Sequence, residues 1–137
     1  MTQVTEHLSY EEVACHDGTP YPPEWRFIRL IPLADAFEYI RRVFGSPIIV
    51  DSAYRTEEYN RRIGGARNSQ HVQGRALDLR PANGDRKGLH EAVMQARRAG
   101  LITGVGHYPT FLHVDTRPGP QVTWYGSRVE NQPQAAA

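Results

Sequence analysis

After Pro32 the apolar residues Leu33, Phe37, Ile40 and Phe44 recur at three- and four-residue steps, with Glu38, Arg41 and Arg42 between them. That period puts one apolar stripe on a helix, and Gly45 supplies a stop, so the spacing predicts an amphipathic helix lying on a core. The pattern then changes to a continuous, β-branched run in "PIIVDSAYR", bounded by Pro47 and a serine, which reads as a buried strand. "TEEYNRRI" opens on Thr56 with two acidic residues behind it and stops at Gly64 and Gly65, the signature of a short capped helix. A second amphipathic helix is predicted over "RKGLHEAVMQARRAG", with Leu89, Val93 and Ala96 on one face. Short strands are predicted at "ALDL", "TGVG", "FLHVD" and "QVTWY", separated by turn formers.

Two to three helices with several short strands, out of strict βαβ alternation, predict an α+β fold with a small, mainly antiparallel sheet. The 137 residues fit one domain with a single core. Its first 30 or so residues carry "HDGTPYPPEW", with three prolines in four positions, and predict an irregular arm before the first helix. The polar tail "ENQPQAAA", from about 130 to 137, is expected to fray.

Bulk charge narrows little. Sixteen Lys and Arg balance 15 Asp and Glu for a net charge of +1, too weak a field to argue for nucleic acid or an acidic membrane. The N-terminal "MTQVTEHLSYEEV" shows neither a basic start followed by an apolar run nor a membrane span. Cys15 is the single cysteine, which excludes an internal disulfide and reads as a semi-buried small residue. Any partner has to be inferred from a site.

Strand periodicity points to one. In "ALDL", Leu77 and Leu79 share a face and Ala76 and Asp78 share the other; in "FLHVD", Leu112 and Val114 share a face and His113 and Asp115 the other. If the leucines and valine face the core and the strands pair, Asp78 and His113 meet with Cβ atoms about 4.5 to 5.5 Å apart, close enough for one ion to bridge. His71 reaches the same place from the preceding loop, where Gly74 permits a tight return. Two imidazoles and a carboxylate suit zinc with a fourth position open to water. The same residues also fit a hydrogen-bonded sheet histidine and a solvated strand carboxylate, and spacing alone leaves both readings open.

Longer motifs carry a resemblance. "SQHVQGRALDL" resembles the S-x-H-x-x-G-x-A-x-D signature of the zinc D-Ala-D-Ala carboxypeptidase and peptidoglycan endopeptidase family, the M15 peptidases. "SAYRTEEYNRRIGGARNSQH" and "GVGHYPTFLHVDTR" resemble the segments that lead into the first ligand and carry the third, and "HLSYEEVACHDGT" resembles the arm of the small phage-type branch. The resemblance implies a hedgehog-like DD-peptidase fold, Zn²⁺ as cofactor, peptidoglycan peptide as partner, and His71, Asp78 and His113 as ligands. It puts Arg55 where the family holds a substrate carboxylate or carbonyl, and Ser69 where a hydroxyl fixes the ligand loop or contacts substrate. Where many members place a general base, three or two residues before the last histidine, this chain has Thr110 and Phe111, neither able to act as one. Asp115 and His107 are the candidates to take over the proton.

The activity implied is hydrolysis of peptide bonds in bacterial peptidoglycan, with a non-catalytic zinc-binding module for wall peptide or a virion structural domain as the alternative. A wall substrate without a visible export signal is the pattern of a phage or prophage lysin. Oligomeric state and the bond cut are open at this level.

Overall fold

The computed structural model describes residues 2–127, and the expected frayed tail lies outside them. The chain begins with β1 (Gln3–Thr5) and β2 (Leu8–Ser9), a two-stranded antiparallel hairpin, followed by the one-turn α1 (Tyr10–Val13). α2 (Ile31–Phe44), β3 (Ile48–Ser52), α3 (Glu57–Arg62), β4 (Ala76–Pro81), α4 (Arg86–Arg98), β5 (Gly104–His107), β6 (Leu112–Asp115) and β7 (Val122–Tyr125) complete it. The second sheet has the order β3-β4-β6-β5-β7, antiparallel except for the parallel β5–β7 pair. The fold is α+β, as the patterning predicts.

One face of that sheet builds the core. Leu77 and Leu79 of β4, Val105 of β5, and Leu112 and Val114 of β6 pack with Leu33, Phe37 and Ile40 of α2 and with Leu89, Val93 and Ala96 of α4. Both helices are terminated by local chemistry: Gly45 ends α2 in the left-handed region, its N–H donating to Arg41 O at 2.9 Å, and the Asp85 side chain accepts Gly88 N–H at 2.9 Å to start α4. Among the described residues no helix is long and apolar enough to cross a membrane.

The arm corrects the expectation of an irregular segment. Ser9 and Glu12 form a reciprocal capping box at α1, a 3₁₀ turn spans Pro23–Trp25, and a π turn spans Arg26–Leu30 and runs into α2. Leu8, Val13, Tyr21 and Leu30 are all buried in the main core. Glu38 of α2 clamps the hairpin, accepting from Thr5 Oγ1 and His7 N–H, both at 2.7 Å. Elements this short have no measurable period, so hydropathy patterning passes over them. Cys15 is buried beside Tyr59 and Ile63.

Candidate metal centre

The opposite face of the sheet carries the polar residues. β4 and β6 pair with Asp78 directly opposite His113 and Ala76 opposite Asp115, so both strands turn their polar positions to one side. All of them are buried, Asp78 at 2% and His113 at 6% exposure, which removes the reading of Asp78 as a solvated strand residue.

His71 comes from the loop between α3 and β4, and that loop is tied down along its length. Ser69 Oγ accepts the His71 N–H at 3.1 Å, the Arg55 N–H donates to His71 O at 3.1 Å, and the Tyr21 hydroxyl donates to Gly74 O at 2.6 Å. Gly74 has φ of +69°, and a Cβ there would lie 2.7 Å from the Tyr21 hydroxyl, so both conformation and space require glycine.

The three side chains converge. Asp78 Oδ1 lies 3.0 Å from His71 Nε2 and 3.1 Å from His113 Nδ1, and one ligand atom from each residue falls within 4.8 Å of the others. Ligand atoms on a tetrahedral ion at about 2.0–2.1 Å would be about 3.3 Å apart, so the cluster is close to the spacing a small cation imposes. The hydrogen bonding gives the stronger test. His71 Nδ1–H donates to Ala53 O at 2.6 Å, which leaves Nε2 as a lone pair, and that buried nitrogen has no hydrogen-bond partner although a carboxylate oxygen is close by. Two buried lone pairs facing each other are unfavourable until a cation lies between them, so the residues present fit a metal ion.

The electrostatics agree. Burial, reinforced by the Arg55 charge, pushes His71 down to about 4, against the pull of Asp78. Burial alone would raise the Asp78 carboxyl, but His71 and His113 outweigh it and hold it well below the usual carboxylate range. His113 goes the other way: burial would lower it, but hydrogen bonds to Asp115 and Asp78 raise it.

Further buried groups fix the converging side chains. Asp115 Oδ2 accepts His113 Nε2–H at 2.8 Å, and the Arg117 guanidinium clamps the same carboxylate, with Nη2 at 2.6 Å and Nε at 2.9 Å from its oxygens. Desolvation would raise the fully buried Asp115, yet the bonds from His113 and Arg117 keep its carboxyl well below the normal range. Arg55, buried at 2% exposure, donates to Ser52 Oγ at 3.1 Å, to Asn60 Oδ1 at 3.0 Å and to Asp78 Oδ2 at 3.4 Å. These three partners are interior groups, and none of them is the neighbouring Glu57 or Glu58.

A cavity of about 220 Å³ opens over the cluster, bordered by Arg55, Ser69, Tyr108, Phe111, Arg117 and Trp124 together with the three converging side chains. Trp124 lies 4.9 Å from the His113 ring and donates its Nε1–H to the Tyr108 hydroxyl at 2.8 Å. Tyr108 in turn stacks on Phe111 at 4.5 Å. Room for this wall comes from β5: Gly104 sits opposite Asp115 and Gly106 opposite His113, and a Cβ would fall 2.3 Å from the Asp115 carboxylate at the first and 2.6 Å from the Trp124 indole at the second.

His107 is not brought to the site. Gly106 faces His113, so the alternation of β5 turns His107 to the opposite side with Leu112, where it stacks on Tyr125 at 4.6 Å and lies 5.0 Å from His90. Asn60 was not readable as a site residue from local sequence, while the glycine alternation at 104 and 106 signals that bulky groups must fit against that strand.

A family model described as peptidase M15 matches residues 5–115. The chain belongs to the peptidase M15 family. The M15 match spans the arm, all three converging side chains and Asp115, and ends before Trp124. The chain is also 42% identical over 65 residues to the probable peptidoglycan L,D-endopeptidase MepK of Haemophilus influenzae. That alignment covers 46% of this chain and 32% of the relative, so the matched stretch is about a third of the curated protein.

Proposed function

We propose that this M15 member is a zinc-dependent peptidase that hydrolyses peptide bonds in the stem peptides or cross-links of bacterial peptidoglycan. The observation that carries the metal part is the buried His71 Nε2, which faces Asp78 at 3.0 Å with no hydrogen bond to satisfy it. The wall substrate is supported by the family and by the printed activity of the Haemophilus relative. An endopeptidase cut agrees better with that relative than removal of a terminal residue, and action on the wall follows from the substrate.

His71, Asp78 and His113 would hold the zinc, two nitrogens and one oxygen being a usual donor set with one position left open. Bound there, zinc supplies a Lewis acid and brings the pKa of water toward about 7. The chain's own residues do the remaining work. Asp115 holds the His113 ring through Nε2, fixing which nitrogen points at Asp78. Arg55 positions a substrate carboxylate or carbonyl from the cavity edge, and Ser69 keeps the His71 loop in place. The Tyr108 oxygen already accepts the Trp124 N–H, so its own proton is directed to a carbonyl oxygen bound in the cavity. Trp124 and Phe111 exclude water from one side.

One observation favours the second reading, a zinc-binding module that recognises wall peptide without cutting it. Among the described residues no carboxylate or histidine outside the converging trio borders the cavity, and Thr110 and Phe111 hold the family's base positions. Incubating zinc-loaded protein with purified peptidoglycan and weighing the products by mass spectrometry separates the two. Fragments released by the native chain and not by His71→Ala establish the peptidase; stoichiometric zinc without fragments leaves the binding module; absence of zinc uptake removes both.

A further inference from the structure

A second and larger cavity, of about 800 Å³, lies between α3 and the loop that carries His71. Asn68 and Ser69 border both cavities, so the larger one adjoins the space over the converging side chains. Among the described residues its lining side chains are mostly polar, with Val72 the one aliphatic among them, which favours a polar ligand. Among the described residues of its lining two guanidinium groups, Arg61 and Arg67, meet a single carboxylate, Glu57, giving a positive balance. Arg61 and Arg67 make no ion pair among the described residues, in contrast to Arg62 next door, which pairs with Glu58 at 4.0 Å. Gln70, on the same wall, has its amide oxygen buried without a donor, an acceptor suited to a peptide N–H once the side chain turns.

We infer that this cavity is the subsite for an acidic residue of the peptide substrate, with Arg61 and Arg67 binding its free carboxylate while the scissile bond lies over the metal cluster. The assignment rests on the peptidase reading above. A polar trough whose guanidinium groups make no ion pair among the described residues recognises a carboxylate through charge-assisted hydrogen bonds, and the shared border at Asn68 and Ser69 puts that carboxylate beside the cavity in which the bond is cut. Glutamyl residues with a free carboxylate have the required chemistry, and the amidated form of the same residue lacks it.

Two synthetic stem peptides, identical except that the glutamyl carboxylate is free in one and amidated in the other, test this on zinc-loaded protein. The native chain is expected to favour the free acid in kcat/KM, and the Arg61→Gln/Arg67→Gln double variant to lose about three- to tenfold on that peptide alone, with unchanged zinc content. Arg62→Gln, outside the cavity, keeps the preference. An equal response of both peptides to the double variant, or no preference in the native chain, overturns the subsite. If neither peptide is cut, the peptidase reading fails. Calorimetric titration of the same peptides then decides the subsite independently: tighter binding of the acid that the double variant abolishes supports it, and equal binding overturns it.

Discussion

Asp115 Oδ2 lies 2.8 Å from His113 Nε2, on the edge of the imidazole turned away from Asp78. Two residues apart on one strand face, they leave the second ring nitrogen as the atom presented to the ligand cluster. The carboxylate is fully buried and already clamped by Arg117, so its place is behind the ligand and not in the cavity.

Asp115→Asn should therefore act on the metal before it acts on the fold. An amide can still approach the ring but no longer supplies the charge that fixes the His113 tautomer, and zinc affinity is expected to fall about 10- to 100-fold. Competition with a chromophoric chelator measures it. Full zinc affinity with lost turnover would instead make Asp115 a group that handles the reaction's proton.

The two histidines give metal uptake a defined pH course. His113 is raised above its ordinary value of 6.5, so in the metal-free protein the ion competes with a proton there, and affinity should climb with pH, through 6.5 and up to that raised value, until the proton is gone. His71, down at about 4, offers no such competition near neutrality. The metal-free chain has the complementary stability profile. His71 binds fewer protons folded than unfolded between about 4 and 6.5, so its contribution grows with pH there; His113 binds more, so its contribution is lost as pH rises through its raised value. Melting curves without metal should peak near pH 6.5, and the zinc-loaded protein should stay stable above it.

Tyr108→Phe removes one hydroxyl from the cavity wall. If that hydroxyl donates to the carbonyl oxygen as charge builds on it, kcat should drop about 10- to 100-fold with little change in KM or zinc content. The Trp124 N–H also loses its acceptor, a cost of about 1 kcal/mol that a thermal melt will register. A melt shift without a change in kcat would assign Tyr108 to packing alone.

Gly106→Ala introduces a methyl group 2.6 Å from the indole of Trp124. The ring has to move off His113, so tryptophan emission should shift to the red and zinc should bind more weakly, while the helices packed on the far face keep their circular dichroism. An unmoved emission spectrum would mean that the wall tolerates the methyl.

The amphipathic helices and the facing of Asp78 and His113 were legible because both follow from strict periods, 3.6 for α2 and α4 and two for β4 and β6. Strand pairing order has no such signal. "GVGH" offers two faces, and only the register that sets Gly106 against His113 reveals that His107 points the other way. The arm was legible only in part: Tyr21, between prolines, is the loop residue that its neighbours predict, but nothing local announces that it is buried with its hydroxyl holding Gly74 from 53 positions away. Arg55 was legible as a site residue only through a motif, since nothing local announces that a guanidinium two positions from Glu57 will be buried.

The parallel pairing of β7 with β5 has a consequence for the order in which the molecule is made. β4 and β6 carry Asp78 and His113 and are complete by Asp115, whereas Trp124 belongs to a strand that must cross back to the outer edge of the sheet. During vectorial synthesis the nascent chain can bring His71, Asp78 and His113 together before the aromatic wall exists. Convergence of the three side chains and shaping of the cavity over them are thus separable events in time, with β7 enclosing a cluster that β4, β6 and the His71 loop have already assembled.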